Sequence, residues 1–189
     1  GLGKQCPWCD TALRMRINAE TEISIEDIQE IVNNEKCSLL ITGGEPTFAS
    51  NLFSTIDVIN STKVNLVNVE TNGHDIIGLI EKVNKNKNVI YSLSPKLFDE
   101  EDEIFYKDLV QKTKDIESVH IKLVYEDRPE IIRFLDYLQE IEYPNSNIWL
   151  MAEGADKETL LSHAPKVFDA AEKYKTNFSS RDHIIYGFV

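Results

Sequence analysis

The sequence is short of positive charge. Its 189 residues contain 20 Lys and Arg against 32 Asp and Glu, which gives a formal net charge of −12. Proteins that bind nucleic acids or anionic membranes without specificity do so by neutralising phosphates with Lys and Arg. The charge balance therefore argues against either partner, and it leaves room for a small anionic substrate held by a few local cations.

Long hydrophobic runs are also missing. No stretch approaches the ~18 apolar residues of a membrane-spanning helix, so we expect no membrane partner. No charged segment followed by an apolar stretch marks a secretory signal. The only three cysteines are Cys6, Cys9 and Cys37, an odd count that suits a reducing compartment. We therefore expect a cytoplasmic protein.

The chain shows no linker, low-complexity segment or sequence repeat. From residue 24 onward, helical and strand patterns alternate with a period of about 30 residues, the size of a βαβ unit. Predicted strands cover residues 37–42, 64–71, 89–94, 119–125 and 148–152, with a further one possible at 183–189. Strands that alternate with helices form a parallel sheet covered by helices. The sequence therefore predicts one α/β domain over residues 1–189.

Polar or charged residues stand at or near the ends of five successive predicted strands. They are Thr42 with the turn Gly43-Gly44-Glu45-Pro46, Glu70-Thr71-Asn72-Gly73, Ser94-Pro95-Lys96, Lys122 and Glu153-Gly154. Any one of them alone also fits a plain turn, a solvated strand end or a lysine stem lying along the sheet. Because parallel βα folds bind ligands at the carboxyl ends of their strands, the pattern predicts a site there.

The sharpest local signal is the segment CPWCDT at residues 6–11. A C-x-x-C pair can be half of a zinc site, a thioredoxin-like dithiol or part of an iron–sulfur site. A zinc site needs two more ligands at compact spacing, which the other Cys and His residues do not offer. A thioredoxin motif follows a strand, and none precedes Cys6. Cys37 opens a strand at the end away from the polar residues, so we expect a small buried hydrophobe there.

Together these motifs resemble the radical S-adenosylmethionine (SAM) superfamily, in which a cysteine motif precedes a strand that ends in Thr-Gly-Gly-Glu-Pro. Residues 69–73, 94–96, 149–154 and 177–183 further resemble one family within it, the 7-carboxy-7-deazaguanine synthases. The resemblance covers nearly the whole chain. It implies a partial (β/α)6-type barrel with a parallel sheet and outer helices, whose N-terminal strand is missing from this sequence.

The sequence differs from the family at the cluster motif. The family motif is C-x3-C-x2-C, and alignment of Cys6 and Cys9 puts Leu2 at the position of its first cysteine. We expect a third cluster cysteine upstream, in a chain that is incomplete at its N-terminus. The alternative is a degenerate scaffold that binds SAM or a partner without turnover.

The resemblance also implies roles for single residues. Cys6 and Cys9, with the third cysteine, would hold a 4Fe-4S cluster, and Thr11 would bind Mg²⁺. The residues that bind SAM would be Trp8, Asp10, Gly43, Gly44, Glu45, Ser94, Pro95 and Lys96. The residues that bind substrate would be Thr42, Glu70, Asn72, Lys122 and His183. A plain structural role for His183 stays open, and no catalytic residue is predicted.

The activity that the resemblance implies is the conversion of 6-carboxy-5,6,7,8-tetrahydropterin into 7-carboxy-7-deazaguanine with loss of ammonia, on the route to queuosine and related deazapurines. A flavodoxin or ferredoxin would donate electrons, and the protein would be a homodimer. A glycyl-radical activase is an alternative within the superfamily, and it would need an open groove for a protein loop. A thiol–disulfide oxidoreductase that uses Cys6 and Cys9 is an alternative from another class.

Overall fold

The structure is a computed structural model that describes residues 23–35 and 37–187. Within these residues, strands and helices alternate as predicted. The strands are Leu39–Ile41 (β1), Val67–Thr71 (β2), Val89–Leu93 (β3), Val119–Tyr125 (β4), Ile148–Ala152 (β5) and Asn177–Ser179 (β6). The helices are Ile25–Glu35 (α1), Leu52–Ser61 (α2), Ile76–Lys82 (α3), Glu100–Thr113 (α4), Pro129–Glu140 (α5), Lys157–Tyr174 (α6) and Asp182–Ile185 (α7), with a 3₁₀ turn at Asn145–Asn147.

The chain divides into two compact units, one that ends at Leu93 and one that begins at Ser94. The first unit contains β1 to β3, and the second contains β4 to β6. In the first unit β2 pairs with β1 and β3, and in the second unit β5 pairs with β4 and β6. All four pairs are parallel. The predicted α/β class with parallel strands and helical connections is confirmed. The number of domains stays a prediction.

The first unit has a clear two-residue alternation of burial along β2. Val67, Val69 and Thr71 are buried, while Asn68 and Glu70 between them are half-buried. Successive side chains of a strand point to opposite faces of the sheet, so one face is apolar and the other polar. The apolar core of this unit also contains Leu52, Ile56 and Ile59 of α2, Ile76 and Leu79 of α3, and Val89, Tyr91 and Leu93 of β3.

The second unit follows the sequence prediction most closely. Strands β4 and β5 begin and end at the predicted residues, and Pro129 occupies the first turn of α5, where a missing N–H costs nothing. The core of this unit contains Ile121 and Leu123 of β4, Ile148 and Leu150 of β5, Phe134, Leu135 and Leu138 of α5, and Leu160 of α6.

Helix α4 begins at Glu100, four residues before its first apolar residue, Ile104. Asp99 caps the helix, since its side chain accepts from the backbone N–H of Asp102 at 3.0 Å. Four acidic residues in the first turn interact favourably with the positive end of the helix dipole and so stabilise the start of the helix. The capping signal therefore extends the helix into a stretch that has no hydrophobic periodicity.

Two expectations about local structure are wrong. The described part of the predicted last strand at 183–189 is not a strand: β6 precedes it, and residues Asp182–Ile185 form a helical turn in which the N–H groups of Ile184 and Ile185 donate to the carbonyl of Arg181. Cys37 is exposed rather than buried. The β1 ladder starts only at Leu39, whose N–H bonds to the carbonyl of Leu66 at 3.0 Å, so Cys37 lies ahead of the paired strand.

No helix in the described part of the chain is both long enough and apolar enough to cross a membrane.

Candidate functional site

The first candidate site lies at the carboxyl ends of β1 and β2. The register pairs Leu40 with Asn68, which places Thr42 beside Glu70 on the polar face of the sheet. The hydroxyl of Thr42 donates to Glu70 Oε2 at 3.2 Å, across 28 residues of sequence. The turn after β1 and the turn after β2 therefore leave the sheet side by side, as the strand-end pattern predicted.

The Glu45 carboxylate joins these two turns. Its Oε1 accepts from the backbone N–H of Thr47 at 2.9 Å and from the Thr47 hydroxyl at 2.6 Å. The hydroxyl of Thr71 donates to the same oxygen. Oε2 accepts from the backbone N–H of Asn72 at 2.6 Å. One carboxylate thus receives two donors from its own turn, one from the last residue of β2 and one from the turn that follows β2.

Both threonine hydroxyls also accept hydrogen bonds from the backbone. Thr47 Oγ1 accepts from the N–H of Asp75 at 3.1 Å, and Thr71 Oγ1 accepts from the N–H of Gly73 at 2.9 Å. A hydroxyl has a single proton, and a carboxylate can only accept. Each threonine hydroxyl therefore donates its proton to Glu45 and accepts a hydrogen bond from one backbone N–H. The exposed fractions of Thr47 and Thr71 are 0% and 3%. The sequence prediction gave neither threonine a role.

The glycines of this turn leave backbone atoms uncovered. Gly43 has φ +106°, a conformation that favours glycine, whereas Gly44 has no such requirement. A Cβ built on either residue meets no atom of the described chain within 4 Å. Since packing and conformation within the described chain allow a side chain at Gly44, its backbone is open to a ligand.

More polar groups continue along this face of the first unit. Ser92 on β3 donates to Asn68 Oδ1 at 3.0 Å, and Asn72 Oδ1 accepts from the backbone N–H of His74 at 3.1 Å. The rings of Phe48 and His74 lie 5.0 Å apart, which adds an aromatic contact between the two turns. The predicted substrate residues Thr42, Glu70 and Asn72 therefore occur at one edge of this sheet.

The second unit carries the other predicted residues. Lys96 donates to the hydroxyl of Ser94 at 2.6 Å, so the two polar side chains of Ser94-Pro95-Lys96 contact each other. Lys122 is half-buried on β4 and pairs in register with Trp149 of β5. His120 shares its face of β4, and burial lowers the pKa of His120. His183 is exposed on α7.

Two side chains that the sequence prediction left without a role hold the turn after β5. His163 Nδ1 lies 2.9 Å from the carbonyl oxygen of Glu153 and 3.4 Å from its Oε2. Arg181 donates to the carbonyl of Gly154 at 2.6 Å. Arg181 lies 27 residues from Gly154 in the sequence, so local spacing gave no signal of this contact.

The predicted metal-binding segment lies outside the described residues. This applies to Cys6, Trp8, Cys9, Asp10 and Thr11. In residues 23–35 and 37–187, no three His, Cys, Asp or Glu side chains gather in a way that could hold a metal ion. The cluster and Mg²⁺ sites stay predictions.

Comparison with known proteins agrees with the motifs. No protein-family model matches the chain. The 7-carboxy-7-deazaguanine synthase of Hyperthermus butylicus is 25% identical over 194 residues, which cover 98% of this chain and 80% of the relative. The enzyme of the same name from Rhodopirellula baltica is 25% identical over 181 residues, which cover 87% of this chain and 67% of the relative. The chain therefore resembles the 7-carboxy-7-deazaguanine synthases over most of its length, which confirms the family resemblance predicted from its motifs.

Proposed function

We propose that this protein is a radical SAM enzyme that converts 6-carboxy-5,6,7,8-tetrahydropterin into 7-carboxy-7-deazaguanine with loss of ammonia. The names of two relatives support the reaction. The observation that carries the proposal is the Glu45 carboxylate bonded to both the Thr-Gly-Gly-Glu-Pro turn and the Glu-Thr-Asn-Gly turn. The two motifs of the resemblance thus form one connected structure at the carboxyl edge of two neighbouring strands.

The glycine turn fits the polar end of SAM. Its backbone is open at Gly44, where an added Cβ would occupy empty space. Among the described residues, Glu45 Oε1 receives three donors and Oε2 receives one. Each carboxylate oxygen has two lone-pair sites, so a single donor leaves one site of Oε2 unused. Oε2 can therefore accept a further hydrogen bond, which suits the amino group of SAM beside the backbone of Gly43 and Gly44.

The polar edge of the sheet suits a pterin. Such a ring presents N–H donors and carbonyl acceptors along one edge, and Glu70 would accept while Thr42 orients its carboxylate. Because Asn72 Oδ1 accepts from the N–H of His74, its NH₂ group is the part that would donate to the ring. The family resemblance implies that Lys122 and His183 would also contact the substrate.

The remaining assignments rest on the family resemblance. A 4Fe-4S cluster held by Cys6, Cys9 and a third cysteine would supply the electron for reductive cleavage of SAM. Trp8 and Asp10 would pack around SAM, with Ser94, Pro95 and Lys96 at its ribose and carboxylate, and Thr11 would hold Mg²⁺. The electron donor would be a flavodoxin or ferredoxin, and the enzyme would be a cytoplasmic homodimer.

Anaerobic turnover tests the proposal. The reconstituted full-length protein is mixed with SAM, the tetrahydropterin, a reductant and Mg²⁺, and products are measured by mass spectrometry. We expect 7-carboxy-7-deazaguanine together with 5′-deoxyadenosine. Cleavage of SAM without change in the pterin would indicate another radical SAM reaction and refute the proposed substrate. Binding of SAM without any cleavage would indicate the degenerate scaffold.

One variant refines the assay. Glu70→Gln keeps the size of the side chain and removes its charge, and Glu70 lies outside the Glu45 network. We expect this variant to retain SAM binding and to lose most product formation. Equal turnover by the variant and the wild type would remove Glu70 from the proposed substrate site.

A further inference from the structure

The Glu45 network contains two buried hydroxyls for which the proposed chemistry has no direct use. Thr47 and Thr71 each donate to Glu45 Oε1, and each accepts from a backbone N–H of the turn after β2. Their two Oγ1 atoms lie 3.1 Å apart. An apolar residue of the same shape, valine, would fill either buried position equally well. The hydroxyls therefore serve the carboxylate and the backbone N–H groups of Gly73 and Asp75, and not the packing.

We propose that Thr47 and Thr71 are positioning residues for SAM: they fix the Glu45 carboxylate, and through it the backbone of Gly43 and Gly44, in the form that binds the amino group of SAM. The inference rests on the proposed function and deepens it. Three hydrogen bonds to Oε1 fix the orientation of the carboxylate plane. Oε2 then has one orientation relative to the open backbone of Gly44.

Two features separate this role from general stabilisation. Loss of one hydroxyl removes one of the three donors to Oε1 and the acceptor of one backbone N–H, which loosens the carboxylate without removing any apolar contact. Thr55 offers a matched control, because it is also buried and its hydroxyl donates to the carbonyl of Pro46 at 2.9 Å. It thus bonds to the same turn as Thr47 but does not contact Glu45.

The test compares Thr71→Val, Thr47→Val, Thr71→Ser and Thr55→Val. The affinity for SAM is measured by calorimetry on the cluster-loaded protein, and amide hydrogen exchange of residues 43–47 is measured on the same samples. Removal of one hydroxyl bonded to a carboxylate should weaken SAM binding about tenfold. We expect Thr71→Val and Thr47→Val to show this loss and faster exchange in the turn. Thr71→Ser, which keeps the hydroxyl, should bind SAM like the wild type.

The control decides between the two roles. Thr55→Val loses a buried hydrogen bond on the same turn, so we expect lower thermal stability with unchanged SAM affinity. Equal weakening by Thr55→Val, or wild-type affinity in both Thr71→Val and Thr47→Val, would overturn the positioning role. If one valine variant fails to fold, the other and Thr71→Ser still report on the hydroxyls.

Failure of the proposed function gives a different result. A wild-type protein that holds the cluster but does not bind SAM would overturn the function and, with it, the role of the threonines toward SAM. A wild-type protein that binds and cleaves SAM, with valine variants that bind it equally well, would overturn the positioning role alone.

Discussion

Replacement of Gly44 by alanine tests whether this glycine serves the fold or a ligand. The φ angle of Gly44 lies outside the left-handed region, and a Cβ there meets no atom of the described chain within 4 Å. Alanine also restricts the unfolded chain, which stabilises a protein by about 0.4–1 kcal/mol where the native conformation tolerates it. For a chain of this size that corresponds to a rise in Tm of roughly 1–4 °C.

The effect on SAM should have the opposite sign. In the proposed complex, a methyl group on Gly44 would occupy the space through which the amino group of SAM would approach. We expect the Kd for SAM to rise by a factor of ten or more, which is a loss of about 1.4 kcal/mol or greater. Thermal unfolding followed by circular dichroism and calorimetric titration with SAM measure the two effects on one preparation.

Gly43→Ala is the matched control. Gly43 has φ +106°, so a side chain there is strained by about 1–3 kcal/mol, and this variant should lose stability. A Gly44→Ala protein that is less stable than the wild type would show that the fold requires the glycine. A stable Gly44→Ala protein with wild-type affinity for SAM would show that the ligand does not approach this backbone.

Two further predictions concern stability. The buried Glu103 carboxylate accepts from Arg133 at 2.7 Å and from Lys107 at 2.7 Å, and these partners, Arg133 first, hold its pKa below the usual range. That stabilisation is present above the unfolded pKa of about 4.3 and is lost as the pH falls through the lowered folded pKa. Glu103→Gln should therefore cost about 1–3 kcal/mol at pH 7 and flatten acid unfolding, and a pH-independent cost would contradict the ion pair. Asp75→Ala removes the cap that accepts from the N–H of Gly78 at 3.0 Å and should cost about 1 kcal/mol in urea unfolding, whereas unchanged stability would refute the capping role.

The sequence predicted the fold best where burial and periodicity agree. Strands β4 and β5 have regular apolar spacing, so their limits were predicted correctly. The described residues 183–187 of the apolar tail were misassigned because the tail has the hydrophobic composition of a strand, whereas the chain forms the short strand β6 before it and begins a helical turn at Asp182. Local composition cannot show which segment finds a pairing partner on β5.

The placement of some candidate site residues was predicted, while their function stays a prediction. Polar residues after neighbouring parallel strands must meet at one edge of the sheet, which is why Thr42 and Glu70 were correctly grouped. The roles of Thr47 and Thr71 were missed, since a buried threonine in a sequence looks like a β-branched core residue. Their partner Glu45 lies 26 residues from Thr71, and no local pattern records a hydrogen bond over that separation.

The shared carboxylate of Glu45 has a consequence for protein engineering. The turn after β1 and the turn after β2 both form hydrogen bonds with the Glu45 carboxylate. Replacement of either turn by one from another protein should therefore alter the shape of the other turn. Attempts to give this scaffold a different substrate should therefore transplant residues 42–47 and 70–75 as a pair.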